Sequence, residues 1–422
     1  MSSFFGLDRE AVGLGFDLAS ELLIKELSWE VKERVVEEDI SLPPIKKMPA
    51  TPQTIFVGVI GVGGVGKAFL GQLQHLTHRL SQANPPTDLR LILARRSTKQ
   101  IFSESWQALN LSTLLRDLDQ VSQPLLPLQE TIDYLATAPG KVILVDNTSD
   151  PTLANSYPSI IRKGISLVTP NKKAFSDTYA LWSDIFSGAA NGTGSAHNGY
   201  IFHESTVGAG LPVLSTLKEL LETGDEVTRI EGVFSGTMSF LFNSFMPVGG
   251  SGGKFSAEVT KAKTLGFTEP DPRDDLNGLD VARKLTILAR LAGLPVDSPT
   301  SFPVESLIPK DLESCSSGDE FLQKLPEFDA QMEELKTSAA KEGKVVRFVG
   351  SIDVPGQKVK VGLEKFHASH PIAALKGSDN IINFYTKRYG SNPLIVQGAG
   401  AGGEVTAMGV TGDLLKVIRL LQ

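Results

Sequence analysis

One cysteine, Cys315, stands in 422 residues, so no internal disulfide can form. That excludes a disulfide-stapled scaffold and an all-cysteine metal site, and it fits a reducing compartment. Long apolar runs are missing too. Val142 to Val145, and Leu285 to Leu294 with Thr286 and Arg290 interrupting it, fall well short of the roughly 18 residues a membrane-spanning helix needs. Positive charge is in deficit, with 41 Lys and Arg against 48 Asp and Glu and a net charge of -7. Such a balance disfavours nucleic acid, whose phosphate backbone calls for a net positive face. The amino terminus lacks a basic start followed by an apolar stretch, so neither secretory nor organellar targeting is expected and the cytoplasm is the default location. Glycine, by contrast, is abundant, with 40 residues.

The remaining composition, 41% hydrophobic and 21% charged, is that of a globular protein long enough for two or three domains. Residues 1–50 read as an extension, with an amphipathic helix through Leu22, Leu27, Val31 and Val35, broken by Pro43, Pro44 and Pro49. From residue 51 short apolar runs alternate with helical stretches, the pattern of a parallel sheet with crossover helices. The runs are Ile55 to Ile60, Leu89 to Ala94, Lys141 to Val145, Ile165 to Val168 and Tyr200 to His203. Residues 187–199, rich in Gly, Ser and Asn, read as a low-complexity loop. Longer segments follow, with helices expected at Leu211 to Leu221, Ser256 to Leu265 and Asn277 to Ala292, and strands at Val345 to Val354, Val359 to Leu363 and Ile381 to Tyr385. The fold class expected is α/β, a Rossmann-type dinucleotide-binding domain over 51–205, then an α+β domain over 206–395, with 396–422 returning to the first.

The run Ile55 to Ile60 leads at once into Gly61-Val62-Gly63-Gly64-Val65-Gly66 and a helical pattern through Leu70 and Leu73. Strand, G-x-G-x-x-G and helix in that order place free amides and a helix N-terminus against a pyrophosphate. Gly61 to Lys67 also satisfies most of a nucleoside-triphosphate loop, but Ala68 stands where a Ser or Thr must ligate magnesium. The second strand ends in Arg95 and Arg96. Arginines there suit a 2′-phosphate, hence NADP with NAD possible; the other reading is solvated loop charges. A second cluster, Gly398, Gly400, Gly402 and Gly403, precedes a last helix. It is either a second turn against the same cofactor or a tightly packed strand-helix turn.

Lys172, in Thr169-Pro-Asn-Lys172, and the segment Asp146-Asn-Thr148-Ser149 both follow strands of the first domain. They therefore fall at the carboxyl end of the sheet, where ligands of such folds bind. On the helix after Leu276, at about 100° per residue, Asp280 falls near 40° and Lys284 near 80°, among Ile287, Leu291 and Leu288. Thr286, Arg290 and Arg283 form a separate polar arc on the same count. A charged pair turned toward apolar neighbours is either a structural ion pair or a functional one. A lysine so placed can be tuned for proton transfer.

These blocks, with His203-Glu-Ser-Thr-Val-Gly-Ala-Gly-Leu-Pro212 and Gly266-Phe-Thr-Glu-Pro-Asp-Pro-Arg-Asp-Asp-Leu-Asn-Gly-Leu-Asp-Val-Ala-Arg-Lys284, make the chain similar to the monofunctional, fungal-type homoserine dehydrogenases from about residue 55 onward. The resemblance implies NAD(P)-dependent interconversion of L-homoserine and L-aspartate 4-semialdehyde on the way to threonine, methionine and isoleucine. It also implies that Gly61 to Gly66, Thr148, Lys172, Gly266 and Gly402 surround the cofactor, that Glu269 and Asp280 hold the substrate, and that Lys284 exchanges the proton with help from Lys172. Glu204, with the carbonyls of Val207, Ala209 and Leu211, resembles a site for Na+ or K+. A homodimer through the second domain is implied as well. Two competing functions are a phosphorylating semialdehyde dehydrogenase, which needs a thiolate that Cys315 is poorly placed to supply, and a catalytically silent NADP-binding sensor of the same fold.

Overall fold

A computed structural model describes residues 53–120 and 123–422; the helix expected through Leu22 and Val35 and the prolines after it lie outside the described residues. The first sheet runs β3-β2-β1-β4-β5-β6. Its strands are β1 (Gln53–Ile60), β2 (Thr87–Arg95), β3 (Gln100–Phe102), β4 (Lys141–Asp146), β5 (Ser166–Val168) and β6 (Ile201–Phe202). Neighbours are parallel except β2 and β3. Ile55, Val57 and Val59 face one apolar cluster, and Phe56 and Ile60 face another. Burial on both faces is why this strand reads as an unbroken apolar run rather than an alternating one.

Helix α1 (Gly64–Ser81) covers the first of those faces, together with the C-terminal helix described below. After β5 come the one-turn helix α2 (Lys173–Ser176) and α3 (Tyr179–Gly188). Residues 187–199 are not a featureless loop. Asn191 donates to the Ile201 carbonyl and accepts from its amide, Asn198 donates to the Gly188 carbonyl, and the segment thereby braces the edge strand β6. Polar side chains here replace missing sheet partners, so a composition that looks simple has a fixed shape.

The second sheet is antiparallel, in the order β11-β10-β7-β8-β9. It comprises β7 (Val227–Val233), β8 (Lys344–Asp353), β9 (Lys358–His367), β10 (Asn380–Thr386) and β11 (Leu394–Gly398). The central strand β7 escapes a reading of periodicity because Thr228, Arg229 and Glu231 interrupt its apolar residues. Helices α4 (Val213–Glu222), α5 (Gly236–Phe245) and α6 (Leu279–Leu291) precede or cover this sheet. Phe242, Phe245, Leu285 and Leu288 pack in one cluster with Ile230, Val346 and Phe384 of the strands. The polar arc expected on α6 is not a solvated face, since Thr286 is fully buried and Arg290 is 5% exposed, and only Arg283 is half-buried. The helix packs against α2 as well as against β8 and β9.

From β11 the chain turns back and forms α7 (Gly403–Leu421), which lies along α1. Gln72 of α1 bonds to the Glu404 carbonyl and to Thr411, and Gln422 reaches Thr87 of β2.

Candidate functional site

Where β1 ends, Gly61 adopts φ +96°, a conformation that disfavours any residue with a Cβ. The Gly61 and Val62 amides both donate to the Arg95 carbonyl at the end of β2, which ties the turn to the sheet. A Cβ on Gly66 would stand 2.0 Å from the Gly61 carbonyl oxygen, whereas Gly63 and Gly64 face open space. The start of α7 lies alongside, with the Cβ position of Gly403 3.4 Å from the Gly64 carbonyl oxygen. Two helix N-termini therefore converge on one open spot, a favourable arrangement for a diphosphate. Gly402, with φ +109°, caps α7 there. The buried carboxamide of Asn147, packed beneath Gly61 and Gly66, has no hydrogen-bond partner for either of its polar atoms among the described residues. A buried amide so placed calls for a partner; the sequence placed the segment 146–149 at the carboxyl end of the sheet without distinguishing Asn147 within it.

Asp146, fully buried at the end of β4, organises the next loops. Its carboxylate accepts from the Tyr157 hydroxyl at 2.5 Å, the Thr148 amide at 2.7 Å and Asn171 Nδ2 at 3.2 Å. Burial pushes the Asp146 carboxyl up from its ordinary pKa, and the Tyr157, Thr148 and Asn171 bonds pull against it. Asn171 Nδ2 also donates to the Asp150 carbonyl, and Asn171 Oδ1 accepts from the Lys173 amide. One buried carboxylate thus fixes both Thr148 and the turn from which Lys172 projects.

Lys172 Nζ lies 3.2 Å from Asp280 Oδ1, and Lys284 Nζ lies 2.8 Å from Asp280 Oδ2. Lys284 Nζ further donates to the Phe234 carbonyl at 2.6 Å. The Lys284 side chain is 9% exposed and that of Asp280 42%, so the cluster opens to solvent on the carboxylate side. Burial lowers the pKa of Lys284 below its ordinary value; Asp280 pulls it up, and the like charge of Lys172 adds to the lowering. For Asp280, burial favours the protonated acid, but Lys284 and Lys172 outweigh it and hold the carboxyl below the usual range.

Glu269 is exposed and joins this cluster only through its backbone, its amide donating to Asp275 Oδ2 at 2.8 Å. Asp275 Oδ1 accepts from Thr237 Oγ1 at 2.8 Å, and the same hydroxyl bonds to the Phe267 carbonyl. Burial raises the Asp275 pKa, with the charges of Glu269 and Asp280 in support. Asp275 and Thr237 thus shape the loop after Gly266, whose φ is +75°. The sequence left Asp275 undistinguished within Arg273-Asp274-Asp275, and its pairing with the start of α5 is visible only in three dimensions.

Arg95 Nη1 bonds to the Leu126 carbonyl and to Thr131 Oγ1, and Arg96 pairs with Asp119 at 2.6 Å. The Arg95 backbone touches the glycine turn, while both guanidiniums are engaged by other protein groups. Glu204 is buried, with Oε1 accepting from the Leu214 amide at 2.7 Å, Oε2 from the Ser215 amide at 3.0 Å, and Lys416 Nζ 3.4 Å away. It caps the N-terminus of α4, a use of carboxylate that the helix dipole favours. Among the described residues no group of three or more His, Cys, Asp or Glu could hold a metal ion.

Two family models match the chain, "Homoserine dehydrogenase, NAD binding domain" over residues 61–197 and "Homoserine dehydrogenase" over residues 212–415. A homoserine dehydrogenase of Emericella nidulans is 59% identical over 378 residues, covering 87% of this chain and 99% of that protein. Among solved structures, a Candida auris protein of unknown function is 46% identical with a TM-score of 0.81, covering 87% of this chain and 99% of its own. A hyperthermophilic archaeal homoserine dehydrogenase in complex with NADPH matches at a TM-score of 0.62 and 22% identity, over 87% of this chain and 98% of its own, which is a likeness of fold.

Proposed function

The chain belongs to the homoserine dehydrogenase family, and from that premise we propose that it interconverts L-homoserine and L-aspartate 4-semialdehyde with Lys284 as the proton-transfer group. The family makes it an oxidoreductase with a nicotinamide dinucleotide as cofactor. The observation that carries the proton-transfer role is the buried Lys284 ammonium with Asp280 at 2.8 Å and the Phe234 carbonyl at 2.6 Å.

A neutral lysine amine has two N–H bonds, and these two acceptors take both, leaving the lone pair for a substrate hydroxyl. Burial favours that neutral form, as a general base for alcohol oxidation requires. Once the proton is taken, Asp280 stabilises the ammonium, and in the reverse direction the same group donates to the aldehyde oxygen. Lys172 balances the second Asp280 oxygen. Because Asp280 is thus engaged on both sides, Glu269 is the freer carboxylate for the substrate ammonium group.

The bound cofactor supplies the hydride acceptor. Gly61 to Gly66 and Gly402 would hold its diphosphate on the two converging helix N-termini, with Asn147 and Thr148 beside it and Gly266 on the loop opposite. We favour NADP over NAD, supported by Arg95 and Arg96 at the end of β2. For a monovalent cation, Na+ or K+, the carbonyls of Val207, Ala209 and Leu211 are the donors to consider. The fit at Glu204 is incomplete, since two amides and Lys416 already engage its oxygens.

Self-association would cover the outer face of the second sheet. A cavity of about 580 Å³ opens there, lined by Arg229, Glu231, Ser351 and Lys360, and the buried Asn383 carboxamide on β10 has no partner among the described residues. We read the two sheets as a cofactor domain over 51–205 and a substrate and dimerisation domain over 206–395, with 396–422 returning to the first. A buried, unpaired Cys315 fits a reducing cytoplasm, and a role in threonine, methionine and isoleucine synthesis follows from the substrate.

The test is homoserine-dependent reduction of NADP followed at the reduced nicotinamide absorbance. Turnover is expected with NADP, and its absence with both NADP and NAD would end the proposal. Choline in place of Na+ and K+, and sedimentation of the same preparation, check the cation and the dimer. In the Arg95→Ala, Arg96→Ala double variant, NADP affinity is expected to fall by about tenfold or more, the worth of a lost charged contact, while NAD affinity holds. Equal loss for both coenzymes would remove the phosphate role.

A further inference from the structure

Lys172 and Asp280 come from opposite halves of the molecule, one from the loop after β5 and the other from α6. The ion pair between them is partly exposed, 32% at Lys172 and 42% at Asp280, and a pair of that kind is too weak to fix its own geometry. The stronger tie lies one side-chain layer deeper.

Arg290, also on α6, is 5% exposed and spends its guanidinium on four backbone carbonyls. Nη1 donates to Phe175 at 2.7 Å, Nη2 to Asp177 at 2.5 Å and Asp297 at 2.9 Å, and Nε to Val296 at 2.9 Å. Phe175 and Asp177 lie at the end of α2, the one-turn helix that Lys172 itself caps. Orphan carbonyls at a helix end need donors, and a planar fork of five N–H groups can serve two separate segments at once. No carboxylate within ion-pairing distance of Arg290 is found among the described residues.

We propose that Arg290 is a positioning residue for the reaction, locking α2 onto α6 so that the Lys172 ammonium meets Asp280 beside Lys284. This rests on the reading of Lys284 as the proton-transfer group, with Lys172 assisting through Asp280. A catalytic group displaced by about 1 Å costs on the order of 10²-fold in rate.

The experiment is a double-mutant cycle on the whole enzyme, with Arg290→Lys, which keeps the charge, Arg290→Gln, which keeps one amide donor, and Lys172→Met. Both Arg290 variants are expected to lower kcat for homoserine oxidation by roughly 10- to 100-fold, with KM for homoserine changed less than about twofold because Glu269 is untouched. Added to Lys172→Met, they should cost no more than about twofold further, since residues acting through one another are non-additive. An undiminished loss in the Lys172→Met background, or wild-type kcat in the single variants, overturns the proposal. So does melting of either Arg290 variant below the assay temperature while Lys172→Met stays folded, which would make Arg290 a residue of stability alone. If Lys284→Met retains turnover, the proton-transfer reading itself has failed, whatever the cycle shows.

Discussion

Lys284→Met is expected to lower kcat for homoserine oxidation by about 10³-fold, within the usual span for loss of a general acid-base group. Methionine keeps the aliphatic stem and the volume, and Asp280 retains Lys172 as a partner at 3.2 Å. The fold should therefore survive, and a melting curve close to that of the parent enzyme is the control. The pH dependence supplies a second readout. Oxidation needs the neutral amine, so the parental rate should rise with pH through the Lys284 pKa, which burial places below the ordinary lysine value. Asp280, Lys172 and Asp275 are the charged groups that face it and set that pKa. In Lys284→Met the rising limb should vanish. Turnover within about tenfold of the parent at neutral pH, or an unchanged limb, would remove Lys284 from its role, because general acid-base catalysis is worth at least about 10²-fold.

The second large effect separates two glycines of one motif. At Gly66 an added methyl would meet the Gly61 carbonyl oxygen at 2.0 Å, and the Gly61 and Val62 amides, held on the Arg95 carbonyl, prevent that oxygen from yielding. Gly66→Ala is therefore expected to cost roughly 1–3 kcal/mol of stability, the usual range for overpacking, and to lose cofactor binding with it. At Gly63 the same methyl meets nothing within 4 Å. Gly63→Ala should melt like the parent yet bind the cofactor about tenfold or more weakly, since the methyl enters the space that a pyrophosphate must approach. Thermal melts and nicotinamide fluorescence titrations of the two variants decide the matter. Parental affinity in Gly63→Ala would show that the open space above the turn is not where the diphosphate sits.

The local parts of this site are legible in the chain. The turn Gly61 to Gly66 is specified by backbone sterics over six positions flanked by an apolar strand and a helix, and no distant residue is needed to recognise it. Asp280 and Lys284 are one helical turn apart, so periodicity alone puts them together, and the 2.8 Å contact follows from spacing. Periodicity goes wrong on the same helix at Arg290. It distinguishes polar from apolar residues but not solvent from backbone carbonyls, and the carbonyls of α2 and of residues 296 and 297 hydrate that guanidinium in place of water.

The sequence by itself determined a parallel sheet of nucleotide-binding type, the glycine turn and the lysine-aspartate pair one helical turn apart. Each of these depends on neighbours within a few residues, or on motifs whose sterics admit few alternatives. The tertiary structure alone decided that Lys172 shares Asp280 with Lys284, that Asp275 joins Thr237 to the Glu269 loop, that Asn147 lies beneath the turn with no partner among the described residues, and that Glu204 caps a helix. These contacts link segments far apart in the chain. Charged and amide side chains look the same in a sequence whether water or a distant backbone group satisfies them, and folding makes that choice by what it buries together.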